Sequence, residues 1–132
     1  MHTPSSFDYA VIRVVPLTER EEFFNVGVIL YCPQQRFLAA RIHVDTQKLE
    51  VLAPRLQVEE VQHRLEAIKK ICAGDETAGP VGRLSQSARF HWLVAPRSTL
   101  IQVSPVHSGL CDEPHAALDR LFREQVASLP NV

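Results

Sequence analysis

A chain of 132 residues fits one domain, 1–132, because domains most often run to about 100–150 residues. Its Lys and Arg nearly balance its Asp and Glu, and the net charge of −1 gives no basic excess for nucleic acid or an anionic membrane. An apolar fraction of 45% with 22% charged residues is that of an ordinary globular protein able to bury one core.

No stretch approaches the roughly 20 apolar residues that a membrane span needs. The opening Met1–Ser6 has no basic region, and the apolar run Tyr9–Leu17 is interrupted by Arg13, which is not the pattern of a signal peptide. Cys32, Cys72 and Cys111 are far apart and odd in number, unlike a disulfide framework. The expectation is a soluble, cytoplasmic protein with reduced thiols, frayed at 1–6 and 128–132.

The first element is a strand over Phe7–Val15, β-branched and almost continuously apolar, as suits a strand covered on both faces. Pro16 ends it, having no N–H for a ladder. Thr18 and Glu21 have capping-box spacing and predict one or two helical turns through Phe24. A second strand follows at Val26–Cys32, in which Gly27 marks a bulge or the close approach of another group. Pro33–Gln35 links it to a third strand, Arg36–Val44, and the short link argues for an antiparallel pair. There Leu38, Ala40, Ile42 and Val44 alternate with Phe37, Ala39, Arg41 and His43.

Asp45 caps a short helix carrying Leu49 and Leu52 and closed by Pro54. The apolar residues Val58, Val61, Leu65, Ile68, Ile71 and Cys72 recur at three- and four-residue steps and predict a longer amphipathic helix. Basic residues close that helix, with Gly74 just beyond it. Asp75–Gly82 reads as a polar loop. A helix is expected over Ser85–Leu93, with Phe90 and Trp92 in the core, and Pro96 after it. Thr99–Ser104 reads as a fourth strand. A closing helix begins near Asp112, Glu113 and Pro114 and buries Ala117, Leu118, Leu121, Phe122 and Val126.

Three groups of residues carry chemistry worth weighing. His107, Cys111, Asp112 and His115 are all zinc-ligand types, but their spacing matches no standard site. The preferred reading is a solvated loop in which Asp112 caps the last helix. Arg97, Ser98 and Thr99 make an R-S-T turn that can grip a small anion through a guanidinium fork and hydroxyls. The bland alternative pairs Arg97 with Glu21 or Glu22. Ser98 lacks the G-x-S-x-G elbow of a nucleophile. Arg13, Asn25 and Arg41 sit within apolar strands, where an unpaired charge is costly. Either they form a structural ion-pair network with Glu21 or Glu22, or they floor a binding pocket in which Arg13, Arg41 and Arg97 converge. Phe23 and Phe24 read as core, and Cys72 as a small hydrophobe. No phosphate-binding glycine motif and no acid–base carboxylate pair is present, so no cofactor and no catalytic residues are expected.

The stretches Tyr9–Pro16, Glu21–Leu30, Ala95–Gln102 and Leu118–Phe122 resemble the bacterial family catalogued as domain of unknown function 3037. The E-F-x-N-V-G-V run over 22–28 is the most specific part of the resemblance. It implies no assigned activity or catalytic residues. Genes of that family often lie beside genes for HipA-like kinases, so a kinase-like protein partner is implied. The residues matching its motifs, Arg13, Glu22, Asn25, Gly27, Arg41, Arg97, Ser98 and Thr99, are the binding candidates.

The sequence therefore predicts an α+β fold, an antiparallel sheet of about four strands with three or four helices largely on one face. The leading function is a non-enzymatic interaction or regulatory module. A small enzyme or anion-binding domain is the alternative, and a nucleic-acid-binding protein ranks third.

Overall fold

The computed structural model describes residues 3–16, 23–97 and 99–127, apart from the side chain of Leu52. The strands are β1 (Ser5–Val14), β2 (Phe24–Cys32), β3 (Phe37–Ile42), β4 (Ile101–Val103) and β5 (His107–Cys111). The helices are α1 (Thr46–Leu52), α2 (Val58–Ala73), α3 (Gln86–Val94) and α4 (Pro114–Gln125). The helical turns expected from Thr18 lie outside the described residues, except that Phe24 is the first residue of β2. Ser5 and Ser6, expected to fray, are strand residues opposite Cys111 and Leu110.

All pairings in the five-stranded sheet are antiparallel, in the order β3-β2-β1-β4. β1 is the hub. One of its edges takes β2, while the other is shared end to end by β4, opposite Ile12–Val14, and β5, opposite Ser5–Tyr9. Ser104–Val106 interrupts that second edge, where Pro105 has no N–H to donate. Ser104 repairs the gap: its backbone N–H donates to Val11 O at 2.8 Å, and its Oγ accepts from Val11 N–H at 2.8 Å.

Strand alternation sorts the core into two layers. Ile12, Val14, Ile29 and Leu38 face α1, α2 and α3 and pack on Leu49, Val61, Leu65, Phe90 and Leu93. Phe7, Val28, Leu30 and Cys32 face the other way, onto Ala117, Leu118 and Leu121 of α4. Each large side chain buried in these layers is worth about 1.5–3 kcal/mol. Three helices thus share one face, and α4 alone covers part of the other.

The local signals that made these elements are visible in the caps. Asp45 Oδ1 accepts from Lys48 N–H at 3.0 Å to start α1, and Ser85 Oγ accepts from Ala88 N–H at 3.2 Å to start α3. Gly74 ends α2 in the left-handed region (φ 70°), with its N–H on Ile71 O and that of Asp75 on Lys70 O. This is the glycine-terminated helix end that satisfies the last carbonyls. A Cβ at Gly74 would lie 2.7 Å from Arg89 Nη1, so glycine also makes room for a buried arginine. The N-cap of α4 is Glu113, whose side chain accepts from His115 N–H, and not Asp112 as the sequence implied.

Candidate functional site

The bulge expected at Gly27 is present. Ile12 pairs with Gly27 and Arg13 with Asn25, so Val26 is the extra residue. Gly27 is required because a Cβ there would lie 2.8 Å from Arg41 O and press on Ile42 and Ile12. The extra residue sends Val26 into the layer beneath α2 with Ile29 and leaves Asn25 on the side of α4. Bulges of this kind re-aim side chains next to sites.

Asn25 and Arg13 are cross-strand neighbours there. Asn25 Nδ2 donates to Gln125 O at the end of α4, at 3.0 Å. Among the described residues its Oδ1 is buried without a hydrogen-bond partner, as is Arg13 Nε. The Arg13 guanidinium lies over the Phe23 ring, 4.2 Å from its centroid. Phe23 is 47% exposed and so is not the core residue expected. A buried polar atom without a partner costs on the order of 1–3 kcal/mol, and two cross-strand neighbours each carry one at this end of the sheet.

Arg41 projects from the same face but is occupied by α4. Its Nη1 donates to Asp119 Oδ1, and its guanidinium lies 4.6 Å from the Phe122 ring centroid. Asp119 also faces His115 Nδ1 at 3.6 Å. Arg41 therefore pins β3 to α4.

Arg97 belongs to the opposite layer. Its Nη2 donates to Trp92 O at 2.7 Å, and its Nη1 reaches Leu93 O and Ala95 O at 3.4 Å. The guanidinium stacks on Trp92 at 4.2 Å, and Trp92 is 42% exposed and not the core residue expected. Among the described residues it is carbonyls at the C-terminal end of α3, and not a carboxylate, that hold Arg97; cations are favoured at such an end. Thr99 Oγ1 donates to Ile101 O at 2.7 Å, and Arg97 and Thr99 share a groove of about 250 Å³ with Arg64 and Ile68. Ser98 and Glu22 lie outside the described residues. Arg13, Arg41 and Arg97 thus do not converge on one pocket: α4 holds Arg41 on one face and α3 holds Arg97 on the other.

His107 and Cys111, read from the sequence as part of a solvated loop, are the two ends of β5. The residues weighed as metal ligands are separated by it. His107 stacks on Tyr9 at 5.5 Å, Cys111 packs with the layer beneath α4, and His115 faces Asp119. Among the described residues no group of three or more His, Cys, Asp or Glu is placed to hold a metal ion.

β5 is the surface that the sequence reading missed. Among the described residues it pairs only with β1, so its outer edge is open. Phe7 lies under Gly109, where a Cβ would come 2.6 Å from the ring, and this ties the strand down on the α4 side. On the other side Leu110 is 67% exposed, Ser108 is exposed, and Val106 just before the strand is 43% exposed. Ser108 Oγ donates to Asp8 Oδ1 at 2.6 Å, fixing the strand to β1. No charged residue lies within His107–Cys111, so the usual blunting of an open edge by lysine is missing.

This is an α+β domain, an antiparallel sheet with helices on both faces whose β5, among the described residues, is paired along one side. It belongs to the family described as Protein of unknown function (DUF3037), whose model matches residues 9–126. No curated protein and no solved structure matches the chain. Among the described residues no helix is long and apolar enough to cross a membrane.

Proposed function

We propose that this chain is a non-enzymatic interaction module that captures an extended segment of a partner protein along β5. The observation that carries the reading is the edge itself: among the described residues β5 is paired on one side only, it holds no Lys, Arg, Asp or Glu, and an apolar side chain, Leu110, stands 67% exposed. An added strand would gain main-chain hydrogen bonds for affinity and use Leu110 and Val106 for side-chain selection. The resemblance to a family encoded beside HipA-like kinases supports a kinase of that type as the partner.

The test is co-purification of the full chain with the product of an adjacent HipA-like kinase gene, both proteins folded. Stable association that is lost in Leu110→Lys, with β1 and β5 still protected from hydrogen exchange in that variant, is the expected result. Reproducible failure to associate, or association untouched by the substitution, refutes the reading.

A further inference from the structure

At the end of β1 remote from β5, a cavity of about 390 Å³ opens where β2 begins, β3 has ended and α4 stops. That size is within the range of about 300–1,000 Å³ usual for small-molecule sites. Phe24, Val26, Leu49 and Val126 give it apolar walls. Asn25 lines it too, and among the described residues Asn25 Oδ1 is a buried acceptor left without a partner once Nδ2 has been given to Gln125 O. His43, Asp45 and Lys48 complete the lining and are exposed at its mouth.

The charges select the ligand. Lys48 Nζ is held over the Phe24 ring, 5.7 Å from its centroid, and attracts an anionic group. Asp45 uses Oδ1 to cap α1, but a carboxylate has about four lone-pair sites and retains capacity for a cationic donor. A plain anion would meet repulsion from Asp45, and a plain cation from Lys48. A zwitterion satisfies both at once, and a small rotation of the Asn25 side chain, whose Oδ1 is fully buried, would bring to its ammonium the acceptor that lacks a donor.

We propose that this cavity binds a free α-amino acid with an apolar side chain. Its ammonium is shared by Asn25 Oδ1 and Asp45, its carboxylate by Lys48 and His43, and its side chain rests on Phe24, Val26, Leu49 and Val126. Such a site would make the module responsive to a small effector, whatever binds at β5.

The test is calorimetric titration of the full chain with L-leucine as the probe. Saturable binding is expected, weakened about tenfold or more for 4-methylpentanoate, which lacks the ammonium, and for isoamylamine, which lacks the carboxylate. Lys48→Met, an exposed position whose replacement should leave the melting temperature unchanged, should weaken leucine at least tenfold. Asn25→Ala should do the same, with its thermal unfolding followed in parallel because it also gives up the bond to Gln125. No saturable heat with L-leucine at about 10 mM (a Kd near that limit is already feeble), equal affinity for the deaminated acid, or wild-type affinity in Lys48→Met each overturns the proposal. None of these outcomes bears on β5.

Discussion

The Val11 amide nitrogen lies 2.8 Å from Ser104 Oγ, a buried bond between residues 93 positions apart. It stands where β4 has ended and β5 has not begun, and it gives the central strand a partner where the ladder on that edge is cut. Ser104 Oγ also donates to Pro105 O at 2.9 Å, so the hydroxyl spans the break.

Ser104→Ala should therefore leave a buried N–H without an acceptor. The expected cost is about 1–3 kcal/mol, read as a lower midpoint in urea with an unchanged slope. Ser104→Thr, which keeps the oxygen, should recover most of the loss. An alanine variant as stable as the parent would show that the bond contributes nothing.

Gly74→Ala places a Cβ in the left-handed region and 2.7 Å from Arg89 Nη1. The backbone alone costs about 1–2 kcal/mol, and the crowding adds to it because Arg89 is only 9% exposed and bonded to Leu84 O at 3.2 Å. On an Arg89→Met background the same substitution should cost less. A double-mutant cycle in urea reads that coupling, and strict additivity would contradict it.

Burial pushes the Cys72 thiol up to about 12 from 9.0, even though the Arg89 guanidinium acts to lower it. Unfolded, the thiol loses its proton near 9, while the folded form keeps it to about 12. Between those values the native state holds more protons, so stability is full below about 9 and falls as pH rises towards 12. The slope from this group is at most about 1.4 kcal/mol per pH unit. Urea midpoints measured from pH 8 upwards should fall less steeply in Cys72→Ala than in the parent. Parallel profiles would disprove the assignment.

Arg41 and Asp119 join β3 to α4, but the Arg41 side chain is 45% exposed. An ion pair that wet is worth roughly 0.2–1 kcal/mol. Asp119→Asn should lower stability by no more than that, and the difference should shrink in 1 M salt, where the Debye length is about 3 Å. A loss above about 2 kcal/mol would mean that the pair is far better shielded than its exposure indicates.

What the sequence revealed follows from where local chemistry decides the structure. The i, i+3, i+4 apolar spacing of α2, the caps Asp45 and Ser85, the glycine at 74 and the glycine at the bulge, Gly27, are local facts, and each of these features appeared where they put it. β5 was not legible because His107–Cys111 has one apolar side chain suited to a strand and a central glycine. It is extended only because β1 offers it an edge. Arg41 was correctly placed on the face of Phe37 and Ala39 by simple alternation. That α4 would cover this face could not be read, since β2 is apolar on both sides. The arginines misled for a similar reason: sequence shows a cation in an apolar run but not that carbonyls at the end of α3 would receive Arg97.

The hub position of β1 sets an order in time as well as in space. As the chain leaves the ribosome, β2 and β3 can close one edge of β1 early, while its other edge waits for residues 101–111. For most of synthesis the longest strand of the sheet is half-paired, and any nascent or truncated chain ending before β4 presents Ser5–Val14 as an adhesive template. Such fragments should aggregate more readily than the full chain, and the docking of β5 on Ser5–Tyr9 is the step that finally covers that edge.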